Sequence, residues 1–238
     1  MTAENAAGRI KHVPYQVDPA NDRFAFYENH WKQVGLDLLK KHVDVRGLTL
    51  LDYGCGRGES LEIFGAAGMK TTGTDTDPEC VRLSAMKGQA TLLDFKDPVG
   101  QFGEKSFDVV CCFHVLEHVP TPVDTLRALS KIARSYLVLA VPNLRSLQGI
   151  AKRHFDLSFV NEGHLQSWDH YHFLSLAERH CNLELVEWGS DATILGGVSN
   201  FVVRVFGQRA AIKLETGLFR RMFPFHCVSV LGVFRPKR

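Results

Sequence analysis

Apolar positions along this chain gather into short continuous runs separated by amphipathic stretches. The runs "LTLLDYG" (48–54), "FDVVCCFH" (107–114) and "SYLVLAVPN" (135–143) have strand length and are largely unbroken by polar residues, as in strands covered on both faces. "KTTGTDTD" (70–77) and "QATLLDF" (89–95) read as two further strands. Between them, "ESLEIFGAAG" (59–68), "DPECVRLSAMKG" (77–88) and "TPVDTLRALSKIA" (121–133) read as helices, the second with Asp77 as cap and Pro78 in its first turn. Strands alternating with helices imply right-handed crossovers and a parallel sheet.

The flanks read differently. Residues 1–20 form a polar tail, and "DRFAFYENHWKQVGLDLLKKHV" then spaces Phe24, Tyr27, Trp31, Val34, Leu38 and Val43 for one or two amphipathic helices. Beyond Asn143 comes a polar, aromatic linker with four histidines, His154, His164, His170 and His172. The helix "YHFLSLAERHC", the strand "LELVEWGS", a basic stretch and "CVSVLGVFRP", expected as an antiparallel edge strand, complete the chain. The expected architecture is a doubly wound α/β fold on a mostly parallel seven-stranded sheet. Residues 1–46 supply a tail and cap helices; residues 47–238 form the main domain, with cap insertions at about 144–172 and 196–226.

At 238 residues and 45% hydrophobic composition, one such domain can bury its own core. The formal net charge of +2 argues against a protein that coats nucleic acid. It hides an asymmetry: from Phe201 onward there are eight Lys/Arg and one acid, Glu215, a local net charge of +7 on an otherwise acidic chain. The six cysteines lack paired metal-ligand spacing and read as small buried hydrophobes in a reduced, cytoplasmic compartment. Neither a signal-like apolar core near the N-terminus nor a membrane-spanning apolar run is apparent, so the expected protein is soluble.

The chemistry concentrates behind the first strand. In "LLDYGCGRGES", Gly54, Gly56 and Gly58 stand at alternate positions between a strand and a helix, which lets a ligand approach backbone N–H groups closely. The dinucleotide fingerprint G-x-G-x-x-G is not met, because Glu59 stands where its third glycine belongs. A Walker loop fails for want of a following Lys-Ser/Thr. Asp75 ends the second strand, where a carboxylate takes both ribose hydroxyls, a feature shared with NAD sites. Asp94 and Phe95 end the third.

In order along the chain, "LLDYGCGRGES", "TGTDTDP", "LLDF", "SFDVVCCFHVLEHV" and "LVLAVPN", with a later "GHLQSW", resemble the class I S-adenosylmethionine-dependent methyltransferases, in particular the group that methylates quinones and sugars. The resemblance covers about residues 48–190. It implies S-adenosyl-L-methionine as cofactor, with Asp52 and the backbone of Gly54, Gly56 and Gly58 at the methionine end. It also implies Asp75 on the ribose, Thr76, Asp94 and Phe95 around the adenine, and Phe113 and His114 near the sulfonium.

Absences narrow the acceptor. "CCFHVLEH" is not the Asn/Asp-Pro-Pro-aromatic motif of similar enzymes that act on nucleobase or glutamine amides. Glu117 stands alone where protein-arginine enzymes carry paired glutamates, and Asn143 replaces the acid cluster of metal-dependent catechol enzymes. The expectation is transfer to an oxygen or nitrogen of a small-molecule, sugar or lipid-like acceptor, possibly an anionic one, with no metal and no nucleic-acid partner. His164, and secondarily His114, are candidates to take a proton, while Glu117-His118 reads as helix-orienting structure. Tyr27 and Trp31 are either core residues or a lid on the cofactor. The basic C-terminal stretch is a solvated cover, an anion-capturing surface or a peripheral membrane contact. Alternatives are an RNA or protein methyltransferase docking through that stretch and a non-catalytic adenosyl-binding module.

Overall fold

The structure, a computed structural model, describes residues 22–147 and 163–237. The polar tail, His154 and the side chain of Phe24 lie outside the described set. A single amphipathic helix α1 (Asp22–Lys40) leads into β1 (Thr49–Tyr53), α2 (Glu59–Ala66), β2 (Lys70–Asp75), α3 (Pro78–Ser84) and β3 (Gln89–Leu92). A short α4 (Pro98–Phe102) precedes β4 (Phe107–Phe113), then α5 (Pro122–Ile132) and β5 (Ala133–Pro142). Next come α6 (His170–Ser175), extended by a π-helical turn at Leu176–His180, and β6 (Leu183–Gly189). Two further helices, α7 (Gly196–Phe206) and α8 (Gln208–Leu214), precede β7 (Ser229–Pro236).

The helix starts follow local chemistry. Asp77 accepts a hydrogen bond from Glu79 N–H (2.8 Å) with Pro78 at the first position of α3, while Asp97 accepts from Gly100 N–H at the start of α4. α4 went unrecognised in the sequence because its five residues are too few to show a helical period.

The sheet order is β3-β2-β1-β4-β5-β7-β6, parallel throughout except that β7 runs antiparallel to both its neighbours. The closing strand is therefore not an edge strand: β7 fills the place between β5 and β6, and β6 takes the edge. Its composition fits the interior position, since Ser229–Phe234 is buried throughout and reads as an uninterrupted "SVLGVF".

Each interior strand divides its side chains between two cores. Leu50, Val109 and Cys111 join Leu36 and Leu39 of α1 and Phe64 of α2 on one face. Leu51, Val110 and Cys112 join Leu126 and Leu129 of α5 and Phe173 of α6 on the other. β1 and β4 are neighbours whose connections leave in opposite directions, so the carboxyl ends of these strands frame the crevice where open α/β sheets bind ligands.

Candidate functional site

The loop after β1 is shaped by three left-handed glycines, Gly54 (φ 79°), Gly56 (φ 52°) and Gly58 (φ 80°). Two have protein reasons as well. A Cβ on Gly54 would stand 2.3 Å from Val115 Cγ2, and one on Gly58 would stand 2.9 Å from the Ser84 backbone. Gly56 alone of the three has none of the described residues within 4 Å of where its Cβ would be, so among them the space beside the backbone is open there.

Asp75 braces this loop. Its Oδ2 accepts from Gly56 N–H (2.9 Å) and its Oδ1 from Asp77 N–H (3.0 Å). Each oxygen keeps a lone pair, so the carboxylate can hold the turn and still accept from a diol. Asp52, at the end of β1, is 2% exposed; its Oδ2 accepts from Ser60 Oγ, while its Oδ1 has no hydrogen-bond partner among the described residues. Burial pushes its carboxyl up to about 6, against the pull of Ser60 and Lys32. A buried, unpartnered carboxylate oxygen beside an open glycine turn suits a ligand that carries a positive charge.

Glu59 is not the bare charge its position suggested. Lys32 of α1 reaches it at 3.1 Å. Burial would raise the Glu59 carboxyl, yet Lys32 leaves it below its usual range. The acidic start of α2, neutralised by Lys32, therefore repels a pyrophosphate only weakly, and Asp52 is the stronger discriminator. Thr76, Asp94 and Phe95 lie past the ends of β2 and β3, all exposed, Phe95 by 66%. Asp94 Oδ1 accepts from Lys96 N–H (3.0 Å). Phe113 packs inward against Phe64, with ring centroids 6.3 Å apart.

His114 leaves β4 in a left-handed conformation, φ 54°, uncommon for a residue with a side chain. Its ring lies 4.6 Å from that of Trp31, with Nε2 3.0 Å from Ser229 Oγ and Nδ1 3.5 Å from Glu117 Oε1. The indole Nε1 of Trp31 is buried and has no hydrogen-bond partner among the described residues. Thus α1, anchored by Leu36 and Leu39, carries an aromatic ring onto the histidine at the end of β4.

The segment that re-enters at Gly163 is clamped to the turn Leu116–His118. Leu165 N–H donates to Glu117 O (2.7 Å), and His118 Nδ1 lies 2.9 Å from Gly163 O, an arrangement in which the imidazole donates. Leu144 N–H meets Trp168 O (2.8 Å), laying the rest of the segment beside the end of β5. His164 thereby arrives next to His118, with ring centroids 4.8 Å apart. Burial pulls its imidazole below the usual histidine range, with Glu117 opposing.

Glu117 is 1% exposed, and among the described residues neither of its carboxylate oxygens finds a hydrogen-bond partner. One side-chain ligand atom each from Glu117, His118 and His164 lie within 4.8 Å of one another, close enough to surround a common cation. Histidine spacing within 154–172 could not reveal this cluster, because two of its members stand far upstream. The signal present in the sequence was "LEH" directly after a buried strand. His170 and His172 lie elsewhere: His170 is buried edge-on to Trp188 and Phe225, and exposed His172 pairs with Asp169 at 2.9 Å.

Residues 22–187 match the family model described as a methyltransferase domain. Among curated relatives, a ubiquinone biosynthesis O-methyltransferase of Xanthomonas oryzae pv. oryzae is 29% identical over 132 residues. That match takes in 48% of this chain and 55% of the relative, so it spans about half the relative's length. Among solved structures, a Haloferax volcanii methyltransferase in complex with the Trm112 methyltransferase activator superposes with a TM-score of 0.64 at 19% identity, over 92% of this chain and 95% of that one. Magnesium protoporphyrin IX methyltransferase from Synechocystis PCC 6803, with bound S-adenosylhomocysteine, gives 0.62 at 16% identity, over 92% and 88%. With the glycine turn, the acids at the ends of β1 and β2 and the interior antiparallel strand in place, the chain belongs to the methyltransferase-domain family.

Proposed function

We propose that this enzyme methylates an oxygen or nitrogen of a small-molecule, sugar or lipid-like acceptor, with His164 as the group that takes the acceptor's proton. The observation that carries the reading is the Glu117–His118–His164 cluster, folded back against the residues that follow β4. When bound, the cofactor supplies an electrophilic methyl carbon. Asp52 and the Gly56 backbone would hold its amino-acid end and Asp75 its ribose, with Thr76, Asp94 and Phe95 beside the adenine and Phe113 and His114 along the wall. His164, kept neutral by burial, would accept a proton, and the Glu117 carboxylate would stabilise the imidazolium formed. Trp31 against His114 would exclude water from that end.

The acceptor class draws support from the relatives, whose names point to ubiquinone biosynthesis and to magnesium protoporphyrin IX, both small molecules. The test is twofold. Adenosylmethionine and adenosylhomocysteine should each raise the unfolding temperature, by about 2.7 kcal/mol in stability at a hundredfold excess over Kd, while NAD should not. Small-molecule and RNA pools should then be screened by mass spectrometry for methylated product with matching release of adenosylhomocysteine. Stabilisation by NAD alone, or methylation confined to RNA, would overturn the reading.

A further inference from the structure

The segment from Gly196 to His226 lies outside the stretch matched by the family model and follows a pattern of its own. α7 turns Ser199 and Val202 inward and leaves Val198, Phe201 and Val205 exposed along one stripe. In α8 and the turns after it, Ala211, Glu215 and Phe219 face inward. Leu218 and Met222 stand out in solvent, as does Phe206 at the corner between the helices, 68% exposed. Single exposed apolar residues need no explanation, but a continuous helical surface of them does.

The charges on this surface have one sign. Arg204, Arg209, Lys213 and Arg221 are exposed. The segment's only acid, Glu215, is fully buried and accepts a hydrogen bond from Tyr27 of α1. Large apolar side chains interleaved with cations, and no exposed carboxylate, match the requirements of an anionic lipid surface. RNA would leave the apolar stripe unused. A two-fold contact with a second copy would set these cations against their own equivalents.

We infer that α7, α8 and the turns leading to His226 form a docking surface for an anionic membrane. Among the described residues no helix is long and apolar enough to cross a bilayer, so the contact is peripheral. Its far end is tied to the end of β5 and to α6. Phe225, exposed at the far end of the segment, packs against His170, and its carbonyl accepts from Asn143 Nδ2 (3.1 Å) at the end of β5.

Flotation of the full chain with phosphatidylcholine vesicles, with and without phosphatidylglycerol, tests this without any methyl acceptor, so its outcome is separable from that of the proposed reaction. Binding is expected only with phosphatidylglycerol, and should weaken as salt is raised. A Phe201→Ser/Phe206→Ser/Met222→Ser variant and an Arg204→Gln/Arg209→Gln/Lys213→Gln/Arg221→Gln variant should each lose about tenfold or more in vesicle affinity. Both should keep the thermal shift induced by adenosylhomocysteine, which reports an intact fold. Failure to float with phosphatidylglycerol vesicles, equal flotation with pure phosphatidylcholine, or unchanged binding by both variants would overturn the inference. So would a stable dimer in light scattering that the phenylalanine substitutions dissolve, which would assign the face to a second copy.

Discussion

In the turn after β1, seven consecutive residues, Asp52–Gly58, hold the buried acid and all three left-handed glycines, and Asp75 braces them from the next strand. Around His164, the neighbouring groups come from the end of β4, from the turn Leu116–His118 and from a segment that returns beside β5. The first arrangement is local and is held by strand register: Asp52 pairs with Gly73 of β2 and Cys111 of β4. The second closes a long loop, and a few backbone hydrogen bonds, such as Leu165 N–H to Glu117 O, keep it shut. The proposed cofactor side is thus set by the sheet itself, whereas the proposed acceptor side depends on long-range contacts. Substitutions on the two sides should separate cleanly into binding and turnover effects.

The largest effect expected is at His164. His164→Asn should lower kcat by roughly 10²–10⁴-fold while the adenosylmethionine Kd stays near wild type. Because burial lowers its pKa, the acid limb of the kcat/KM profile should fall below the usual histidine range and vanish in the variant. A variant that keeps wild-type turnover would shift the role to His114 or to an acceptor that needs no base. The same preparations, treated with a chelator, should stay active; loss of activity with rescue by a divalent ion would make Glu117, His118 and His164 ligands instead.

Asp75→Ala should act on the other side alone. Losing a charged acceptor should weaken cofactor binding by about 1.5–3 kcal/mol, roughly ten- to a hundredfold by calorimetry. An unchanged Kd would show that the carboxylate serves only the Gly56 and Asp77 backbone. Gly54→Ala should cost about 1–3 kcal/mol of stability in urea titration, because its Cβ would collide with Val115 at a positive φ. Gly56→Ala has no such collision and should cost less stability; its effect should appear in cofactor affinity.

The smallest effect is titration of Asp52. Its carboxyl sits at about 6 in the fold against a usual value of 3.8, so the folded state holds the proton more tightly than the unfolded chain. That contribution to stability is present at low pH and is lost as pH rises through about 6. A positively charged ligand group reverses the preference, so cofactor affinity should fall by up to about tenfold per pH unit below 6. Asp52→Asn should flatten that profile, and it should stabilise the ligand-free protein at neutral pH. A pH-independent Kd in the wild type would remove Asp52 from the binding site.

This contrast also explains what could be read in advance. The strands, α2, α3 and α5 were legible because their hydrophobic periods and caps are local: Asp77 caps α3 from within the same dozen residues. The glycine turn and Asp75 were legible for the same reason. The interior place of β7 was not read, although "SVLGVF" carries the apolar run of a strand buried on both faces. The pairing of Glu117 and His118 with His164 was not read either, since it depends on a loop closure that no local pattern encodes. Lys32 at Glu59 is a further case: a helical lysine on α1 gives no sign that it neutralises an acid on α2.

The interior position of β7 also sets an order on biosynthesis. β6 leaves the ribosome before β7 does, yet every hydrogen-bonded partner it has in the sheet belongs to β7. Until those later residues emerge, β5 is an open edge and β6 is an unpaired strand with Trp188 on it, both competent to pair with another chain. The nascent protein therefore passes through a stage in which β1 to β5 can already pair while the sheet still has a gap. Premature termination between Gly189 and Ser229 would leave that gap permanently unfilled, and the expected fate of such a product is capture by chaperones or aggregation.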